Sequence, residues 1–406
     1  PARASGSESP SIQHDLASYV REGLANNAGL RAAFERWRAA LERVPQVTAL
    51  PDPMLAYARF VEEVQTRTGP QRQRVGISQT FPWFGKLALR GQVAARRAEQ
   101  LWHDALAIRL SVTRDIKNAW YEYGYLAQAI RITDHNLKLL QQLEPVVQRK
   151  IQAGAGQEGL LKLQVEIGEL ENRLETLRKL APAISARLSA LMNREFREPL
   201  PMPTLREPAL LELESAKLAR RILRENPKLE AIRQRMDRFE RQSELARLSG
   251  LPDFTIGADY FDTGEALAPG TAGSGDDPIA VRIALNLPIW RSKYSSAERE
   301  ARREREAASR ELTELGNGLR ADLEMRLYEV DDASRQIVLY RETLIPRARQ
   351  SLEVTQTSYR AGTATILDVI DSERMLLAFE NSYWRASSNY EQGLAEIEAI
   401  CGGEIR

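Results

Sequence analysis

Few residues of this 406-residue chain have the type and spacing that chemistry requires. Its three histidines, His14, His103 and His135, are scattered, and no two share the spacing that puts a pair of imidazoles on one helix face. Cys401 is the single cysteine, so neither a disulfide framework nor a thiolate metal cluster is expected. Gly154-Ala155-Gly156-Gln157-Glu158-Gly159 carries the letters G-x-G-x-x-G. A dinucleotide loop of that pattern follows a strand inside a βαβ unit, whereas this one follows a long helical run. No enzyme constellation, cofactor site or metal site is expected. One acidic pair remains: Asp368 and Asp371 lie three apart and share a helix face. The plain reading is a helix start, with Thr365 and Asp368 as a capping box in a first turn that favours negative charge.

The elements that must position these residues come in two copies. Leu50-Pro51-Asp52 opens a stretch that ends in Phe81-Pro82-Trp83 and leads into a long helical run. Leu251-Pro252-Asp253 opens a second stretch that ends in Leu287-Pro288-Ile289 and leads into another. Ala153-Gly154 and Ala361-Gly362 stand near the far ends. Matching landmarks are roughly two hundred residues apart, so the repeat covers nearly the whole chain. The expected organisation is a first structural repeat over 1–193, a connector over 194–222 and a second repeat over 223–406. The first comprises a helix (Ile12–Arg43, stopped near Pro45), a β-hairpin at about 52–81, a long helix 85–153 and a return helix 157–193. The second comprises a helix (Asn226–Leu248), a hairpin at about 253–289, a long helix 292–361 and a return helix 365–400. Ala98, Ala105, Val112, Ala119 and Leu126 repeat by sevens, the seam of a closely packed coiled coil. A helix of about seventy residues reaches roughly 100 Å.

The hairpins have two chemically different faces. Met54, Ala56, Ala58 and Phe60 alternate with Leu55, Tyr57 and Arg59, and Gly69-Pro70 sits in the expected turn. In the second copy Phe254, Ile256, Ala258 and Tyr260, then Val281, Ile283, Leu285 and Leu287, are apolar, while Asp259, Arg282 and Asn286 oppose them. An isolated hairpin is marginal, and the chain offers no further strands, so partners are expected from other subunits. Bulk composition is consistent with this. Lys+Arg 57 against Asp+Glu 56 gives no support to nucleic-acid binding. Mean hydropathy is negative, and no apolar run is long enough for a transmembrane helix. A transmembrane β-strand needs only about ten alternating residues, so a barrel remains open. The small, polar start Pro1–Pro10 has no apolar signal core.

Hairpins needing partner strands, fused to very long helices, resemble the TolC-type outer-membrane efflux channels. Particular words match as well. Gln79-Thr80-Phe81-Pro82-Trp83-Phe84-Gly85-Lys86-Leu87 is similar to the strand-to-helix junction of the heavy-metal efflux branch. Tyr359-Arg360-Ala361-Gly362, followed by Leu367-Asp368-Val369-Ile370-Asp371, is similar to the family's helix tip, and Leu163-Gln164-Val165-Glu166-Ile167 fits the first return helix. The resemblance implies a mainly α fold with a small β part: a homotrimer whose twelve-stranded β-barrel continues as a coiled-coil α-barrel. It implies residence in the bacterial outer membrane with the helical tunnel in the periplasm, and partnership with a periplasmic adaptor and an inner-membrane pump of the resistance-nodulation-division type. Phe254, Ile256, Tyr260, Val281, Ile283, Leu285 and Leu287 would face lipid, and Asp259, Arg282 and Asn286 the lumen. Tyr359, Asp368 and Asp371 match the family's gate positions. Ala364 stands where some members have a gate arginine, with Arg360 a possible substitute. Gly154, Gly156, Gly159, Gly362 and Thr363 would meet the adaptor. The function implied is passive export of small toxic compounds or metal ions; a soluble coiled-coil scaffold is the alternative.

Overall fold

A computed structural model describes residues 15–152, 154 and 156–405; Pro1–Pro10, Ile12, His14, Ala153 and Ala155, named above, lie outside them. The elements in order are α1 (Leu16–Asn26), α2 (Ala28–Leu41), α3 (Arg43–Thr48), β1 (Met54–Thr66), β2 (Gly69–Phe81), α4 (Lys86–Gln152) and α5 (Glu158–Leu191). There follow α6 (Ser215–Glu225), α7 (Pro227–Ser249), β3 (Phe254–Thr263), β4 (Ile279–Leu285), α8 (Arg291–Leu339), a π turn (Tyr340–Leu344), α9 (Ile345–Ala361) and α10 (Ile366–Cys401). The chain divides into two compact units. One holds the described residues of 1–33, 105–227 and 315–406, and the other holds Phe34–Asp104 and Lys228–Glu314.

Several sequence expectations change. The first helix is not continuous. Asn27 leaves helical geometry with ψ 119°, its side-chain oxygen accepts from Leu30 N at 3.0 Å, and its Nδ2 donates to Leu191 O at 2.9 Å. Asn27 thus caps the second segment and ties the break to the end of α5. Pro45 does not stop a helix; it sits in the first turn of α3, where a missing N–H costs nothing. The connector, expected to reach 222, ends earlier because α6 begins at Ser215. Asn226 then repeats the work of Asn27, donating Nδ2 to Ile400 O at 2.8 Å at the end of α10. Pro227 follows at the first position of α7, where proline is preorganised for a helix. The second long helix is interrupted too. Pro346 has no N–H to give to the carbonyl four residues back, and the ladder shifts to Ile345 N–H on Tyr340 O, one π turn.

Two apolar clusters stand out among the described residues of the helical unit. One gathers Leu140, Leu163, Leu170, Val369 and Leu377, and the other Ile116, Tyr123, Leu126 and Leu188. All five residues of the heptad seam from Ala98 to Leu126 are buried. The other unit contains the sheet, four antiparallel strands in the order β1-β2-β3-β4. The first hairpin turns at Arg67-Thr68, so Gly69 and Pro70 are strand residues paired with Thr66 and Gln65. The two hairpins find their first partner in each other, along ten β2–β3 pairs from Gln71↔Thr263 to Phe81↔Phe254. Only β1 and β4 are left as edges.

Candidate functional site: a two-faced sheet and an asymmetric helix tip

Because side chains alternate along a strand, register decides which of them share a face. Tyr57, Val75, Tyr260 and Ile279 form one cross-strand row, and Leu55, Ile77, Ala258 and Val281 form the next. Ile256 opposes Ile283, and Phe254 opposes Leu285. This face is uncovered: Val281 is 75% exposed and Ile283 73%. Ile256, Tyr260 and Leu285 are exposed as well, while Phe254 is half-buried and stacks on Phe81 at 5.6 Å. An apolar face this large in one chain calls for a cover of protein or lipid.

The opposite face is small and charged. Asp259, with a side chain 5% exposed, accepts from Arg74 Nη2 at 2.8 Å and stands 3.8 Å from Arg282. Gly76 makes this possible, since a Cβ there would lie 2.1 Å from Asp259 Oδ1. Thr80 and Thr255 hydroxyls meet at 2.8 Å. Two expected site residues fall outside the strands. β4 ends at Leu285, so Leu287 lies in the segment leading to α8, and Asn286 turns its side-chain oxygen to Asp253 N. Asn286 therefore caps the junction and is not on the sheet's polar face. That junction holds a pair the sequence reading missed. Lys86, 3% exposed, donates Nζ at 2.7 Å both to Leu251 O and to Asp253 Oδ1, and Trp83 N donates to the same carboxylate oxygen. The Gly85-Lys86 of one repeat is thereby bolted to the Leu-Pro-Asp of the other. The signal was the duplicated Leu-Pro-Asp, of which only the second copy has this lysine as partner.

At the helix tips the gate candidates do not converge. Tyr359 is buried in the helical core, 6% exposed. Lys150 Nζ lies 3.8 Å from its ring centroid and donates to its carbonyl, and burial raises the phenol's pKa. Asp368 is exposed, yet its Oδ2 accepts from Thr365 N at 2.8 Å and Thr365 Oγ1 at 2.7 Å, while Asp368 N donates back to Thr365 Oγ1 at 3.3 Å. The capping box is formed, and these bonds from Thr365 hold the carboxyl below its usual pKa. Arg360 and Asp371 are exposed on the surface. Gly154 (φ 102°) and Gly362 (φ 85°) are left-handed helix ends, as glycine permits. Gly156 is open, and Thr363 is exposed with its N–H on Ser358 O. Gly159 is different: it lies inside α5, where a Cβ would come 2.5 Å from Ile366.

Two buried acids near the tip escaped the sequence reading. Glu166, on α5, is bonded to Arg374 Nε and Nη2 on α10. Glu373, 2% exposed, accepts only a 3.3 Å bond from Gln356 Nε2, and its Oε2 has no partner. Burial, with some help from Glu380, pushes its pKa up to about 7. The available signal was an acid on a face otherwise made of Val369, Ile370, Leu376 and Leu377.

Known proteins with this architecture fit the geometry. Residues 218–403 match the model of the family described as outer membrane efflux protein. The pyoverdine export outer membrane protein OpmQ of Pseudomonas putida is 24% identical over 339 residues, 81% of this chain and 70% of its own length. The cobalt-zinc-cadmium resistance protein CzcC of Cupriavidus metallidurans is 20% identical over 391 residues, 93% of this chain and 87% of its own. The outer-membrane channel OprN superposes with a TM-score of 0.79 at 17% identity, over 96% of this chain and 90% of that one. A four-stranded two-faced sheet with open edges, grafted on duplicated long helices, defines an outer-membrane exit duct for efflux. The chain is similar to the outer membrane efflux proteins over residues 218–403 and has the fold of the TolC-type channels over nearly its whole length.

Proposed function

We propose that three copies assemble by pairing β1 of one with β4 of the next, giving a twelve-stranded barrel in the outer membrane and a helical tunnel in the periplasm. The observation that carries this is the sheet: its exposed aliphatic rows suit lipid, its Asp259–Arg74–Arg282 face suits a wet lumen, and closure would satisfy both free edges. A soluble scaffold has no use for Val281 and Ile283 on an uncovered face. Cargo would pass without chemistry, driven by a resistance-nodulation-division pump through an adaptor. Metal ions and small organic compounds are the cargo classes the relatives' names suggest, one from CzcC and one from OpmQ. To test assembly, cysteines are placed at Tyr57 on β1 and, in turn, at 279, 281 and 283 on β4. One pairing should give a covalent trimer on denaturing gels of detergent extracts; monomer from every pairing would rule out this barrel.

At the tip, exposed Asp371 and Arg360 are the groups best placed to act between copies, with Asp368 set by its cap and Tyr359 acting from inside the subunit. Asp371→Ala should raise single-channel conductance, and unchanged conductance would remove it from the gate. Gly154, Gly156, Gly362 and Thr363 offer the adaptor small, closely approachable tips. Thr363→Glu should abolish adaptor cross-linking; Gly159 contributes by letting α5 seat against Ile366.

A further inference from the structure

The helical unit contains a cleft of about 480 Å³ that the duct reading does not use. Its walls come from α4, the connector, the π turn with α9, and α10. Three guanidinium groups, of Arg131, Arg341 and Arg349, face two carboxylates, Glu207 and Glu380. The carboxylates are already taken. Glu380 is bonded to Arg349 at 2.7 Å, and Glu207 stands 3.9 Å from Arg341, which also pairs with Glu342 at 2.9 Å. Arg131 is the surplus cation: its Nε and Nη2 both donate to the neutral amide oxygen of Gln128, at 3.0 and 2.8 Å. That grip orients the guanidinium and leaves the rest of its fork for something else.

Tyr383 supplies a second, independent sign. It lines the same cleft and is 6% exposed, yet its hydroxyl has no partner at bonding distance, with the Ser387 side chain as its polar neighbour. A buried hydroxyl without a partner is costly, and phenylalanine would fill the same volume without that cost. Its neighbour Trp384, with Ile132 and Ile345, gives the cleft a flat apolar wall. The volume and the mixture of apolar wall with a few polar groups are those of small-molecule sites.

We propose that this cleft binds a small aromatic carboxylate, its carboxylate on Arg131 and the Tyr383 hydroxyl and its ring on Trp384. Three guanidinium groups against two carboxylates disfavour a cation, and a bare inorganic anion leaves the apolar wall unused. The test is calorimetric titration of the full-length, detergent-purified protein with 2-naphthoate, and separately with 2-naphthamide and inorganic phosphate. Naphthoate should bind once per chain, with the amide and phosphate each at least tenfold weaker. Arg131→Gln should weaken naphthoate at least tenfold. Tyr383→Phe should weaken it about threefold to tenfold while leaving the unfolding temperature equal or higher, since a purely structural tyrosine would not separate the two readouts. Arg131→Lys, which keeps the charge and loses the fork, should bind with intermediate strength and decides the matter if the glutamine variant fails to fold. Absence of naphthoate heat, an amide or phosphate that binds as well, or arginine variants that bind like the native chain would each overturn the proposal.

Discussion

The two repeats are built alike and balanced differently. A shift of 207 residues lays buried Leu163, Glu166 and Leu170 of the first return helix on buried Ile370, Glu373 and Leu377 of the second. Both copies bury a glutamate at the same place. In the first, Glu166 has a guanidinium from the other repeat; in the second, Glu373 has one long bond from an amide. Eight residues further on, Leu174 in the first copy matches Asn381 in the second, whose Oδ1 is buried without a partner. Proline behaves differently as well: Pro145 lies inside an unbroken α4, while the π turn sits beside Pro346. Duplication fixes the scaffold; of the two return helices, α10 carries buried polar atoms without a partner, on Glu373, Asn381 and Tyr383, and α5 has none among the described residues. The unequal chemistry is therefore concentrated where the capping box and the exposed aspartates of the tip also stand.

The sheet offers the largest test of that inequality. On the apolar face β4 presents Ile279, Val281, Ile283 and Leu285 without interruption, whereas β2 mixes Val75 and Ile77 with Gln73 and Gln79. A lysine at a lipid-facing midpoint costs about 2–4 kcal/mol and less near an interface. Ile283→Lys should abolish trimer recovery from membranes, while Ile77→Lys should reduce it less. Equal losses would mean that both hairpins sit equally deep, and no loss for Ile283→Lys would contradict lipid exposure.

Next in size is the pH dependence of the lone acid. Glu373 is raised from 4.5 to about 7 in the folded chain. Between those values the folded state holds a proton that the unfolded state has released, so stability falls as pH rises. The contribution is complete below about 4.5 and gone above about 7, a difference on the order of 3 kcal/mol per chain. Thermal unfolding of the detergent-solubilised protein should show a midpoint that declines across that window. Glu373→Gln should flatten this part of the decline and unfold at a higher temperature than the native chain at pH 8. An unchanged slope would show that Glu373 is solvated or paired.

Removing the first copy's partner should act in the opposite sense. Arg374→Ala leaves Glu166 buried without its cation, which for a fully buried pair costs about 3–5 kcal/mol. Arg374 is half exposed, its side chain at 52%, and solvent screening brings the expectation down to about 2 kcal/mol. The unfolding midpoint should drop at pH 7. A midpoint unmoved at pH 7 would make the bridge a surface contact and erase the contrast with Glu373.

How far the sequence could carry this picture depends on the range of the forces involved. Alternation of Ile256, Ala258 and Tyr260 and the sevenfold spacing of Ala98 to Leu126 are local patterns, and the strands, faces and seam follow from them. Thr365 with Asp368 was equally legible, since a capping box spans three residues. The break at Asn27 was hidden because Asn-Ala-Gly is compatible with a helix until Leu191 supplies a carbonyl 164 residues away. Likewise the Lys86–Asp253 bolt and the Glu166–Arg374 bridge join residues 167 and 208 apart. Such pairs are invisible to periodicity. The same holds for Tyr359, whose letter in a tip motif says nothing of whether its ring turns outward or in towards Lys150.

The smallest effect separates an architectural asymmetry from a costly one. If Asn381 is kept only as a core residue, making the second copy like the first should help. Asn381→Leu removes the unpartnered Oδ1 and the Nδ2 bond to Leu377 O at 2.8 Å, and restores the leucine that stands at 174. Replacing a half-satisfied buried amide by a side chain of similar volume is neutral to stabilising, here by about 1 kcal/mol. The reverse change, Leu174→Asn, puts an unpaired amide into an apolar site and should cost about 2–3 kcal/mol. Both are read as unfolding midpoints of the solubilised protein, and the native, Asn381→Leu and Leu174→Asn chains should rank with Asn381→Leu highest and Leu174→Asn lowest. A destabilised Asn381→Leu would show that the amide meets a buried water or a neighbouring copy. The second repeat's polar core would then be an interface of the assembly, and the two halves would differ in what they touch more than in what they lack.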